Sequence, residues 1–186
     1  MTRQGTFEEI IDDFAPRYQA DAKETLARIV EFWRPARVCE KPSRHFWEGL
    51  AQHLKADTDE VRKHFISLFT FNHEVLELVK KLKRHYKLGI LSNQIEDWLE
   101  EEIEKREFRT LFDAIVGSYS AKLKKPDEAI YRYAAEKLEL APEECVFIDD
   151  KERNVEAAKN FGMHGIRFES VQHLKKELRK LGVKMS

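Results

Sequence analysis

Two adjacent carboxylates, Asp149 and Asp150, follow the apolar run Cys145-Val-Phe-Ile148 and lead into Lys151-Glu-Arg-Asn154. Unpaired charge at the mouth of a buried strand is costly, so a cation is expected beside them. Two other polar clusters follow apolar runs: Ser92-Asn93-Gln94 after Leu88-Gly-Ile-Leu91, and Lys122-Leu-Lys124-Lys125-Pro126-Asp127 after Ala114-Ile-Val-Gly117. A hydroxyl, an ammonium and a carboxylate pair brought to one place would hold a phosphoryl group. Serine hydrogen-bonds one oxygen, lysine neutralises charge, and aspartates carry Mg2+.

The elements that must bring these groups together are legible in the hydrophobic periodicity. From His73 onward, short apolar strands (Leu88–Leu91, Ala114–Gly117, Val146–Ile148, His164–Phe168) alternate with helical stretches. Alternation of that kind predicts right-handed crossovers and a parallel sheet with helices on both faces, with ligands gathering at the strands' carboxyl ends. Residues 6 to about 70 read as helices only. Phe7, Ile10, Ile11, Phe14 and Tyr18 keep helical spacing, and Asp21 caps a second helix carrying Leu26, Ile29, Val30 and Trp33. Pro35 and Pro42 interrupt the pattern. Ser43 then caps a helix with Phe46, Trp47, Leu50 and Leu54, and Thr58 opens one with Val61, Phe65, Ile66 and Phe69.

Composition narrows the function classes. The 33 basic and 34 acidic residues nearly cancel, leaving a net charge of -1, so no global attraction to nucleic acid or an anionic membrane is implied. No apolar run reaches membrane-spanning length and none at the start reads as a signal peptide, which makes the cytoplasm the expected compartment. Cys39 and Cys145 are too far apart in sequence to suggest a disulfide or metal framework. The seven histidines show no zinc-binding spacing.

Each candidate has a plainer reading beside it. Ser92 could cap the helix over 95–103, and Lys122 and Lys124 compete with Lys125. Asp150 could be a helix cap with Asp149 the metal carboxylate, or both could face the site. Asn154 reads equally as a site residue or an exposed helix polar group. Trp33, Trp47 and Trp98 read as packing residues.

Taken together, Leu88-Gly-Ile-Leu-Ser92-Asn93, Lys125-Pro126-Asp127-Glu128-Ala-Ile-Tyr131 and Val146-Phe-Ile-Asp149-Asp150 with Asn154 and Gly162-Met163 resemble the haloacid dehalogenase (HAD) superfamily. The match is to its phosphatase-like branch with an early helical cap. The resemblance implies a helical cap over 1–70 and a HAD-like Rossmannoid α/β core over 71–186. It also implies Mg2+-dependent hydrolysis of a small phosphorylated metabolite through an aspartyl phosphate. Ser92 and Lys125 are the implied catalytic residues, Asn93 joins them in binding substrate, Asp149 and Asp150 hold the metal, and Asn154 supports them. Dehalogenation fits less well, since it needs no metal. A response-regulator receiver places its acidic pair first in the chain rather than last.

The sequence departs from the family at one point. The family's opening strand ends in Asp-x-Asp, whose first aspartate is the nucleophile, and these residues contain no such strand. Asp12-Asp13 lacks the spacing and lies on a helical stripe. The absent strand would lie centrally, between those ending at Ser92 and Asp149. The expectation is therefore a truncated, misstarted or degraded chain without turnover, with open sheet edges that allow oligomers. The competing expectation is a HAD-fold protein that binds or regulates without catalysis.

Overall fold

The computed structural model describes residues 3, 4 and 6–185. After a two-residue strand β1 (Arg3–Gln4) the chain builds a helical layer from α1 (Phe7–Phe14), α2 (Ala22–Ala36), α3 (Ser43–Leu54) and α4 (Thr58–Ser67). Side chains stop the helix ends from fraying. The Thr6 hydroxyl accepts from Glu9 N while Glu9 accepts from Thr6 N, and Asp21 and Asp57 accept from the first-turn amides of α2 and α4. Their apolar stripes meet around Phe14, Ile29, Phe46, Leu50, Val61 and Phe65, all fully buried. Asp12 and Asp13 are exposed on α1, as helical periodicity predicts.

Two local expectations are corrected. Ser43 does not cap α3, because Pro42 holds that position and the Ser43 hydroxyl accepts from Asp97 N at 3.3 Å. Helix α4 opens at Thr58 as expected, with Asp57 as its cap. Pro35 does not interrupt α2 but lies in its last turn, where the helix ends one residue later and little hydrogen bonding remains to be lost.

The second layer runs through β2 (Thr70–Phe71), α5 (His73–Leu82), β3 (Gly89–Ser92), α6 (Glu96–Lys105), α7 (Phe108–Leu111) and β4 (Ala114–Gly117). It continues with α8 (Ser118–Ala121), α9 (Glu128–Leu138), β5 (Val146–Asp149), α10 (Glu152–Asn160), β6 (His164–Arg167) and α11 (Val171–Lys180). Helix α9 begins at Glu128 with Asp127 as its cap, so Pro126 precedes the helix. Gly162, at φ +107°, makes the left-handed turn that returns the chain from α10 to β6, which a side chain would strain. The two layers share a core, since Ile95 and Trp98 of the second are buried among the aromatic rings of the first.

The described strands form pairs. β1 and β2 are antiparallel, β3 pairs with β4 in parallel, and β5 pairs with β6 in parallel. No hydrogen-bonded ladder joins β3 to β5 among the described residues. Successive backbone groups of a strand face opposite sides. The Leu88 carbonyl accepts from Asp113 on the β4 side and the Cys145 and Asp149 carbonyls accept from the β6 side. Gly89, Leu91, Val146 and Ile148 therefore direct their backbone groups into the gap. Parallel strands are ordinarily buried on both faces, yet Gly89 is exposed and Ile90, Leu91 and Ile148 are only half-buried.

Candidate functional site

Ser92 and Asp149 are the last residues of β3 and β5, so both stand at carboxyl ends of parallel strands. Lys125 comes from the segment before α9. Its Nζ donates to the Leu91 carbonyl at 2.9 Å and to Asp149 Oδ2 at 2.6 Å, bridging the gap between the two strands. The lysine and aspartate side chains are only 11% and 5% exposed. Lys124 instead pairs with Asp127, and Lys122 is exposed in the left-handed region, so Lys125 is the lysine that reaches the strand ends.

Asp149 is held from every side. Oδ1 accepts from Lys151 N at 2.9 Å and from Asn154 Nδ2 at 2.8 Å, while Oδ2 takes Lys125. Burial pushes its carboxyl upward, but the Lys125 charge and these hydrogen bonds outweigh burial and hold it below the usual carboxylate range. Asn154 is buried on α10, and its Oδ1 is buried without a partner. Asp150 is exposed.

Asn93 shapes the site through the backbone. Its Nδ2 donates to Lys125 O at 2.9 Å and its Oδ1 accepts from Lys125 N at 2.8 Å, so the amide clamps the lysine segment to the end of β3. No helix is capped by Ser92, since α6 begins after Ile95, and its hydroxyl has no hydrogen-bond partner among the described residues.

These ends open into a cleft of about 1740 Å³ that runs along the gap and up to the helical layer, where Trp33 and Arg37 line it. Ligand pockets are typically ~300–1,000 Å³, so the cleft has room for more than a small molecule. Trp33 Nε1 donates to Gln94 Oε1 at 3.3 Å, joining α2 to the residues after β3. The contributions of Leu91 O, Lys151 N and Arg37 are absent from the sequence reading, because backbone groups and a lone arginine carry no spacing signal.

Mg2+ typically takes one or two protein carboxylates and completes its shell with water and phosphate oxygens. Asp149 and Asp150 supply that number, and the unpartnered Asn154 Oδ1 adds an oxygen beside them. No group of three acidic, histidine or cysteine side chains suited to a metal occurs among the described residues.

A family model described as haloacid dehalogenase-like hydrolase matches residues 7–168. The phosphorylated carbohydrates phosphatase of Thermotoga maritima is 30% identical over 122 residues, which cover 64% of this chain and 56% of that protein. Flavin mononucleotide hydrolase 1 of Arabidopsis thaliana is 40% identical over 63 residues, covering 34% of this chain and 26% of that protein. The chain thus spans less than two thirds of either relative. A HAD-family enzyme of Bacteroides thetaiotaomicron has the same fold, with TM-score 0.79 at 21% identity over 94% of this chain and 93% of that one. The same enzyme is also known in complex with magnesium and inorganic phosphate. No described helix is long and apolar enough to cross a membrane.

Proposed function

The chain belongs to the haloacid dehalogenase-like hydrolases, and from that premise we propose that its site binds the phosphoryl group of a small phosphate monoester and serves Mg2+-dependent hydrolysis through an aspartyl phosphate. The observation that carries this reading is the Lys125 bridge, which holds one ammonium between the ends of β3 and β5 beside the unpartnered Ser92 hydroxyl. Lys125 would neutralise the phosphoryl oxygens and Ser92 would donate to one of them. Asp149 and Asp150 would hold Mg2+, with Asn154 fixing the Asp149 carboxylate. When bound, the metal would supply charge stabilisation for the transferring group. Asn93 serves by positioning Lys125. The helical layer over 1–70 acts as the cap that selects the substrate.

In this reading the aspartyl nucleophile is not one of the acids already placed in the chain. Asp149 is engaged on both oxygens, and Asp12 and Asp13 lie on the outer face of α1. Turnover would then depend on an apolar strand bearing Asp-x-Asp seated between β3 and β5, where the backbone groups of Gly89, Val146 and Ile148 and the Leu91 amide face the gap, the Leu91 carbonyl being held by Lys125. The test compares phosphate release from p-nitrophenyl phosphate by the 186-residue chain and by a form preceded by such a strand. Activity that needs both the strand and its first aspartate supports the proposal. The second reading is a binding protein without catalysis, which inactivity of both forms together with retained phosphate binding would select.

A further inference from the structure

Arg37 lies at the end of α2, half-buried, with its guanidinium 4.4 Å from the centre of the Trp33 ring. Its Nε is buried without a hydrogen-bond partner, and no acidic side chain of the described residues forms a salt bridge with it. Arg34 on the same helix and Arg153 on α10 line the same cleft, and they too make no salt bridge among the described residues. An unpaired buried donor costs free energy, and like charges gathered together repel one another, which the Asp127 charge, already paired with Lys124, offsets only in part at Arg37. The helical end accounts for only part of this arrangement. The C-terminal carbonyls of a helix attract cations, but the Arg37 carbonyl already accepts from the Ser118 hydroxyl and the guanidinium turns over Trp33 instead. The burial of Arg37, and the charges of Arg34 and Arg153, hold its proton less firmly than usual, which an incoming anion would reverse.

We infer that Arg37, stacked on Trp33 and joined by Arg34 and Arg153, forms a subsite for a second anionic group, so that the substrate class is phosphate monoesters carrying a carboxylate or a further phosphate. The inference rests on the phosphoryl reading of Ser92, Lys125 and Asp149. It adds where the rest of the substrate lies: the phosphoryl group at the strand ends, the second anion across the cleft against α2. The planar guanidinium suits bidentate binding of a carboxylate or phosphate, and stacking on the indole keeps it oriented before binding. Trp33 is in turn tied to Gln94, so the subsite is fixed relative to the residues after β3.

The test measures binding to the full chain with Mg2+ by calorimetry, using matched probes: 3-phosphoglycerate against glycerol 3-phosphate, and 4-carboxyphenyl phosphate against phenyl phosphate. In at least one pair the second anion should improve affinity about tenfold or more, as a charge-assisted hydrogen-bonded contact does. Arg37→Ala should bring that ratio close to one, and Arg37→Lys should restore only part of it. Arg153→Ala, which alters an exposed residue and leaves the fold intact, should reduce the ratio several-fold. Equal affinities within both pairs, or a preference that survives both alanine variants, would overturn the subsite while leaving the phosphoryl site standing. If neither probes nor inorganic phosphate bind, the phosphoryl reading fails and the subsite falls with it.

Discussion

Lys125 and Asp149 form a buried pair, 2.6 Å between Nζ and Oδ2, and the same ammonium holds the Leu91 carbonyl of the facing strand. One cation therefore ties together two parallel strand pairs that share no ladder among the described residues. Removing one partner of a buried pair leaves an uncompensated charge, which typically costs about 3–5 kcal/mol. Lys125→Met should lower stability by that order in urea unfolding. The double variant Lys125→Met with Asp149→Asn should recover a good part of it, because the stranded charge disappears with its partner. A double variant no more stable than the single one would mean that the pair is not what holds this end of the fold.

The same pair sets the acid limit of stability. The Asp149 carboxyl is lowered in the folded state, so its contribution is full above its unfolded value of about 3.9 and is lost as pH falls through the lower folded value. Stability should thus decline below about pH 4 more steeply than in Asp149→Asn, whose curve lacks this component. Parallel acid curves for the two proteins would remove Asp149 as the cause.

Asn93 offers a separation of position from charge. Its two hydrogen bonds to the Lys125 backbone are lost in Asn93→Ala, at about 1–3 kcal/mol. The variant should also weaken phosphate binding without removing any charged group. Unchanged phosphate affinity together with the stability loss would reduce Asn93 to a structural clamp.

Much of this was legible in the sequence because it is local. Short apolar runs located β3, β4, β5 and β6 to within a residue or two, and the polar residues ending them pointed to Ser92 and Asp149. The cap at Ser43 was misread, since Pro42 takes that position and only geometry chooses between neighbours. What the sequence left unread depends on residues distant in the chain: the amide of Asn93 meeting Lys125 thirty-two positions later, and Arg37 lying over Trp33 at the cleft wall. Asn154 read equally as site or surface, and only its burial against Asp149 distinguishes the two.

The gap between β3 and β5 should be visible in exchange. The amides of Gly89, Leu91, Val146 and Ile148 face it, whereas those of Ile90 and Phe147 lie in the ladders to β4 and β6. Hydrogen exchange should therefore alternate along each strand, fast at the first four and protected at the last two. Adding an apolar strand ahead of residue 3 should close the difference, because the new strand supplies carbonyls to the open edge. Uniform protection in the 186-residue chain would mean that the edges already have partners, whether from a second copy or another segment.

Turnover is the remaining consequence. Ser92 and Lys125 can stabilise a phosphoryl group and Asp149 can help to hold Mg2+, but loss of a nucleophile typically lowers kcat by several orders of magnitude, ~10⁶ in the best-studied hydrolases. The 186-residue chain should show no enzymatic hydrolysis of acetyl phosphate with Mg2+. A preceding strand of apolar residues ending in Asp-x-Asp-Gly should restore both turnover and solubility, because it fills the exposed edges as well as supplying the carboxylate. Changing its first aspartate to asparagine should abolish turnover and keep the solubility, separating the chemical role of the strand from its structural one. Robust hydrolysis by the 186-residue chain that is lost in Asp149→Asn would reassign the nucleophile to an acid of the chain itself, with Asp150 and Asp12 next to be substituted.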